Sequence, residues 1–298
     1  MKAAPLLAAA LALSGCTRLH LSPAKRQPLG YVIGPPYAVS GVYQYPRADF
    51  EYDATGLAVV IGPHPHPASD GEAFDATALV GAHPTLQLPC VARVTNLDNG
   101  RQLLLRLNDR GPLRRGRLLG LSRRAAELLG MTGQPGGVPV RVQVEATPSR
   151  QLAAALDRES PLALTAAPTA AVQVAPLPPL SGPQATPDLS PGLAPPTVPP
   201  MAAAEPMPRL RLPEQVAAVP VRTYALFVLE AEFGRRDYAA LLARRTAALG
   251  ARVQPGAAAS RDRAWRVVIG PLDSVAQADT TLDQAIVAGV VGANIVAE

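Results

Sequence analysis

The sequence predicts a mostly-β barrel with one small helix, then a long linker and a second, α+β domain of ferredoxin-like βαββαβ order. Three observations predict it. Short runs of β-type residues recur between turn signals through residues 31–145. Residues 146–220 are dominated by Pro, Ala, Leu, Thr and Ser. Residues 221–298 then resume a strand–helix pattern that repeats, with Phe227 and Val267 opening matching strand cores about 40 residues apart.

Composition fits two modest domains better than one body. The chain has 298 residues, 33 of them proline and 24 glycine, and only 4% are aromatic. The formal charge of +5 comes mostly from arginine, so an anionic polysaccharide, acidic lipid or nucleic acid could be drawn to it. Nucleic acid is set aside as a partner, because the sequence holds no RNP-like aromatic signature, zinc spacing or basic recognition helix.

The elements follow in order from the N-terminus. Lys2 gives a short positive region, residues 3–13 are apolar, and Leu13-Ser14-Gly15-Cys16 comes next. This run falls short of the roughly 20 apolar residues a spanning helix needs, and it reads as an export signal. The ending LSGC resembles a bacterial lipoprotein signal, in which Cys16 is lipidated and becomes the new first residue. The other reading is an ordinary signal peptide with a chance cysteine. Thr17 rather than Asp follows, which by analogy argues against retention at the inner membrane and for the outer one. Residues 17–30 read as a tether. Cys90 then has no partner within the chain, and in the apolar run LPCVARV it reads as a small buried side chain.

Within residues 31–145 the strand candidates are YVIG, GLAVVIG, CVARVTN, RQLLLRLN and VPVRVQVE. One helix is expected, in LSRRAAELLG, with Ser122 as N-cap, Leu121 as staple and Gly130 as stop. Residues 146–220 should hold neither helix nor ladder, since proline fixes φ and removes donors. Such a linker could reach roughly 200 Å at about 3.1 Å per residue, letting the two ends work at different places. In residues 221–298, TYALFVLEAEF, AWRVVIGPL and ANIVAE read as strands. The intervening helices carry apolar stripes at Tyr238, Leu241, Leu242 and Leu249, then Val275, Ala278, Leu282 and Ile286, all expected to face the core.

Three polar residues of the first domain are candidates for chemistry. Glu72 lies in a Gly-flanked loop with Phe74 nearby, His83 ends the same segment, and Asp109 opens the turn D-R-G-P. A carboxyl group shielded by Phe74 could keep a proton at neutral pH, as a general acid must. The same residues also suit a solvated loop, a structural histidine and a capped turn. His64 and His66 in PHPHP lack the further ligands of a zinc site, so no metal is expected. Arg110, Arg114, Arg115 and Arg117 cluster beside Asp109, most of them solvated on this reading.

Taken in order, YPRADFEYDATGLA, GEAFDATALVGAH, LPCVARVTNLDNGR and LNDRGPLRRGRLLGLSRRAAELLG resemble the rare lipoprotein A family. The resemblance implies a six-stranded double-psi β-barrel, a lipid anchor and a C-terminal SPOR domain that binds septal glycan stripped of stem peptides. It also implies a lytic transglycosylase with no cofactor. Such an enzyme cleaves between MurNAc and GlcNAc and leaves a 1,6-anhydro end. The family's functional positions fall on Glu72, His83 and Asp109. Glu72 and Asp109 would be the catalytic carboxyls, one the acid and the other stabilising positive charge or orienting the hydroxyl. His83 would orient a partner or bind sugar hydroxyls, Phe74 and Arg110 would line the substrate, and an arginine would meet the lactyl carboxylate. Phe227 and Arg266 would touch glycan in the last domain. The implied place is the cell envelope, on a membrane facing the periplasm, with division proteins as further partners.

Some residues depart from the family pattern. Val59, Val60 and Ile61 stand where aromatics are usual, Gly120 where Asp is, and Leu229 and Glu232 replace the usual SPOR glutamine and a small residue. A second reading therefore stands beside the first, that of a non-catalytic glycan-binding septal lipoprotein. A third is an expansin-like wall-loosening module.

Overall fold

The computed structural model describes residues 29–64, 67–131, 133, 136–159, 212–256 and 265–298. Cys16 and the export signal, His66 and the middle of the linker lie outside the described residues. The first element is a hairpin of β1 (Tyr37–Val39) and β2 (Val42–Gln44). Ser40 and Gly41 both take positive φ, as a two-residue turn matched to strand twist requires.

Six strands then close on themselves: β3 (Asp53–Val60), β4 (Val80–Ala82), β5 (Cys90–Asn96), β6 (Arg101–Asp109), β7 (Arg117–Leu121) and β8 (Val138–Val144). Around the barrel the order is β4-β7-β3-β8-β5-β6, and β4–β6 pairing returns to the start. The pairs β3–β7 and β4–β6 are parallel and the others antiparallel. This closed mixed barrel is the double-psi β-barrel arrangement. Leu103, Leu105, Leu107, Leu119, Leu121, Val140 and Val142 fill it. Each such side chain contributes roughly 1.5–3 kcal/mol through burial. Cys90 is fully buried among them, and burial pushes its thiol up to about 12.

Helix α1 (Arg123–Leu128) starts as expected, with Ser122 Oγ accepting the Ala125 N–H at 3.2 Å, and Gly130 follows it at φ +71°. The YVIG segment is no strand and makes only a bridge between Val32 and Leu88. Strands β4 and β7 were not anticipated, since they are short and alternate little. In β7, Gly120 lies under Ile61, whose Cγ2 would stand 2.9 Å from any added Cβ. Two departures from the family pattern thus fit each other, because Ile61 fills space a larger residue at 120 would need.

The expected linker is shorter than its composition suggests. Helix α2 (Ala146–Glu159) runs into it and packs beside β5, with Leu156 buried and Ser149 Oγ bonded to both Val91 N and Val91 O. Pro148 sits in the first turn, where a missing N–H costs little, and no proline interrupts the rest. At the far end, β9 (Val216–Ala218) pairs with the start of β6.

The last unit contains β10 (Leu226–Phe233), α3 (Arg236–Arg245), β11 (Arg252–Pro255), β12 (Trp265–Leu272), α4 (Val275–Val287) and β13 (Asn294–Ala297). Its antiparallel sheet has the order β11-β12-β10-β13. The α4 stripe packs inward, but in α3 Tyr238 and Leu241 are exposed while Ala239 is fully buried and Leu242 packs against the core. The stripe is rotated because Ala239 lets the helix approach the sheet closely.

This unit is packed against the barrel and does not hang free at a distance. Leu57 of β3 is buried in the second unit's core cluster beside Leu282 and Ile295. Gly116, at φ +67°, would place a Cβ 2.5 Å from Leu282 Cδ2. Arg117 donates two hydrogen bonds to the Asp279 carboxylate at 2.6 and 2.8 Å, and Ala297 N–H reaches Thr55 Oγ1 at 3.3 Å.

Candidate active site

The acids meet where β6 ends. Parallel pairing with β4 holds that end: Ala82 lies opposite Asp109, and His83 N–H donates to Asp109 O at 3.0 Å. Across it runs the loop from β3, anchored by Asp70 N–H on Asn108 O at 3.2 Å. A tight turn presents Glu72, with Gly71 N–H on Ala68 O at 2.8 Å and Ala68 N–H on Glu72 O at 2.7 Å. Gly71 takes φ +92°, a left-handed conformation that explains the glycine before Glu72.

Glu72 and Asp70 share one guanidinium. Arg106 Nη1 lies 2.9 Å from Glu72 Oε1, and Arg106 Nη2 lies 3.2 Å from Asp70 Oδ2. Asn108 Nδ2 donates to Glu72 Oε2 at 3.3 Å, and Glu72 N–H donates to Asp70 Oδ1 at 3.0 Å. Asp70 is fully buried and Glu72 keeps 11% of its side chain in contact with solvent. Burial, reinforced by the charges of Glu72 and Asp109, lifts the Asp70 carboxyl from 3.8 to about 7, against the pull of Arg106 and of the Glu72 N–H. It is thus a carboxylic acid that keeps its proton near neutrality.

Asp109 is held differently. Its Oδ1 accepts from Ser69 N at 2.9 Å, Ser69 Oγ at 2.8 Å and Arg110 N at 2.8 Å. Its Oδ2 faces His64 Nε2 at 3.0 Å, an approach lying off the ring's hydrogen-bonding direction and therefore mainly electrostatic. Phe74 stacks obliquely on the His64 ring, the centroids 5.0 Å apart.

Other candidates fall elsewhere. The His83 ring is wholly buried: Nδ1 accepts the Thr85 and Leu86 N–H groups at 3.2 Å, and Nε2 meets Tyr52 Oη at 3.1 Å. Burial first, and Arg110 second, lower its pKa to about 3, so it is a neutral ring bracing the 83–86 turn. A ring so enclosed cannot bind sugar hydroxyls. Arg110 spends its guanidinium on the carbonyls of His83, Leu86 and Ile33, which leaves little of it for a substrate carboxylate. Of the neighbouring arginines, Arg115 binds Ser40 O and Arg117 is buried on Asp279, not solvated. In the last unit, Phe227 packs against Gly270, and Arg266 pairs with the Glu298 carboxylate at 2.8 Å.

Ser69, Asp70, Arg106, Asn108 and His64 complete the cluster and were not singled out as its members from sequence. One signal was present: Arg106 interrupts the apolar run of β6, and an arginine buried there must have an acidic partner. Among the described residues no group of three or more His, Cys, Asp or Glu is arranged to hold a metal ion.

Residues 59–142 match the sequence family described as "Lytic transglycolase". Three relatives share the printed name endolytic peptidoglycan transglycosylase RlpA. The protein of Pseudomonas aeruginosa PAO1 is 39% identical over 152 residues, 49% of this chain and 43% of its own length. That of Escherichia coli K12 is 44% identical over 89 residues, 29% of this chain and 25% of its own. That of Campylobacter jejuni is 39% identical over 112 residues, 37% of this chain and 40% of its own. The chain thus spans less than half the length of these curated relatives. The family match encloses all three acids of the cluster and the strands that carry them. Through that barrel, the chain is similar to proteins named RlpA, and residues 59–142 carry the matched domain.

Proposed function

We propose that this chain is a lytic transglycosylase acting on peptidoglycan glycan strands. The observation that carries the reading is the cluster itself, in which Asp70 and Glu72 share one buried guanidinium beside Asp109 and Asp70 holds its proton to about pH 7. The names of the relatives point the same way.

The reaction needs a proton on the bridging oxygen and a nucleophile at the anomeric carbon. Glu72, the member of the Asp70–Glu72 pair that reaches solvent, delivers the proton as the C1–O4 bond breaks. The muramic 6-hydroxyl closes on C1, and its proton passes to a basic group of the cluster, restoring the balance. No water and no cofactor enters. The internal nucleophile has an effective molarity on the order of 10⁵ M, so a second carboxylate poised over water is unnecessary. Asp109, fixed through Oδ1 by three donors, stands beside the developing oxocarbenium ion.

The rest of the reading is architectural. Cys16 carries lipid and anchors the chain at the periplasmic face of a membrane, the outer one in a two-membrane envelope. The last unit is a SPOR-like, ferredoxin-like module for denuded septal glycan, supported by its strand order β11-β12-β10-β13. One observation favours the alternative of a non-catalytic glycan-binding lipoprotein: the Arg106–Glu72 ion pair at 2.9 Å engages the proposed acid. Incubating the purified chain with peptide-free glycan strands, beside Glu72→Gln and Asp109→Asn, separates the two. Anhydro-ended fragments seen by mass spectrometry from wild type alone establish the lyase. Intact strands throughout, with binding retained, support the alternative.

A further inference from the structure

We propose that His64 is a positioning residue for Asp109, holding its Oδ2 for the reaction assigned above. The Asp109 carboxylate has two unlike oxygens. Oδ1 is saturated by Ser69 N, Ser69 Oγ and Arg110 N, and Ser69 Oγ is tied to Arg110 N as well at 3.1 Å. Oδ2 is therefore the oxygen that can serve a substrate, and His64 Nε2 stands 3.0 Å from it. The imidazole keeps 19% of its side chain exposed and the carboxylate 9%, so the contact lies at the rim of the cluster, where a sugar can arrive.

The local sequence fits a placed ring better than a surface accident. Pro63 precedes His64 and Pro67 follows three residues on, and each of these two prolines fixes φ and limits the paths the loop can take. Phe74, two residues after Glu72, stacks on the His64 ring at 5.0 Å. The stack ties the loop that carries His64 to the turn that presents Glu72. His64 thus couples the two proposed catalytic carboxyls through one ring: its nitrogen meets Asp109, and its face meets the turn of Glu72. The histidine that does this is the one the sequence suggests only as an incomplete metal ligand. One carboxylate oxygen stands against it.

The inference rests on the transglycosylase reading, and the experiment separates the two. Turnover on peptide-free glycan strands would be measured for wild type, His64→Ala and His64→Gln, with Tm as a control for folding. In parallel, the ring nitrogens of His64 would be followed by NMR in the ¹⁵N-labelled chain, with and without Asp109→Asn. A misplaced catalytic group costs on the order of 10²-fold. We expect His64→Ala to lose turnover by about that factor with KM changed less than about twofold. His64→Gln, whose amide keeps a polar N–H edge near Oδ2 without the ring, should recover part of the loss. The His64 nitrogens should shift when Asp109 becomes Asn. Unshifted nitrogens would refute the contact, and unchanged turnover in His64→Ala would refute the role. If wild type forms no anhydro ends while the nitrogens still shift, the reaction itself falls and takes the positioning role with it, though the contact stands.

Discussion

Replacing Asp70 with Asn isolates the cost of an acid buried among acids. The unfolded chain releases the Asp70 proton near 3.8, whereas the native protein keeps it to about 7. Between those values the native state binds more protons than the unfolded one, so this group's contribution to stability falls as pH rises. It costs nothing below the unfolded value and is fully unfavourable above about pH 7. By linkage the whole shift is worth roughly 4 kcal/mol, of which roughly 2–3 kcal/mol develops between about pH 5 and pH 8. Asn can still accept the Glu72 N–H through Oδ1, now made at 3.0 Å, but its amide nitrogen would meet Arg106 Nη2, now 3.2 Å from Oδ2. Asp70→Asn should therefore be the less stable protein at low pH. Urea denaturation of both proteins across this range gives the test. The stability gap should close, or reverse, by roughly 2–3 kcal/mol from about pH 5 to pH 8. Two parallel pH profiles would refute the reasoning, because Asp70 would then titrate alike in the folded and unfolded chains.

Three other outcomes follow from the packing. His83→Ala leaves the Thr85 and Leu86 N–H groups and Tyr52 Oη without their present partner, so it should cost about 2–4 kcal/mol in urea denaturation. Its loss of glycan cleavage should follow the folded fraction, which circular dichroism measures on the same samples. Ser122→Ala removes the α1 cap and the Ser122 Oγ bond to Ala78 O, and should cost about 1–2 kcal/mol. Asp279→Ala strands the buried Arg117 and should cost about 3 kcal/mol, lowering the transition of the docked pair in calorimetry. Arg117→Met together with Asp279→Leu should restore most of it, since an apolar pair replaces a buried ion pair well.

The barrel was legible where strands alternate and the site where residue types are unusual. GLAVV, CVARVTN, RQLLLRLND and VPVRVQV are long enough for their β-type residues to show. VGA in β4 is not, because all its residues are buried and nothing alternates, yet this strand closes the barrel and fixes Asp109. Helix α2 was hidden by the proline-rich composition around it, which says nothing about the proline-free turns of SRQLAAALDRE. In α3 the apolar stripe was read one residue off, since Ala239 carries too little hydrophobicity to outweigh Tyr238 and Leu241 in a pattern. Arg106 and Asn108, on the strand that ends at Asp109, both reach the Glu72 carboxylate, a link that no spacing in the sequence displays. The sequence does not reveal which way the His83 ring turns, because nearness to an acid along the chain fixes no side-chain direction. The backbone of His83 does touch Asp109, and its side chain points into the protein.

Leu57 sits on the outer surface of the barrel wall and is still fully buried, because the last unit covers it. A barrel produced without that unit would present Leu57 to water and leave Arg117, whose side chain is now shielded, with its counter-charge removed. Such a fragment gains a sticky patch and an uncompensated cation on one face, so its tendency to self-associate or cling to anionic polymer would be an artefact of cutting. Binding and cleavage by the dissected halves therefore need not sum to the behaviour of the intact chain.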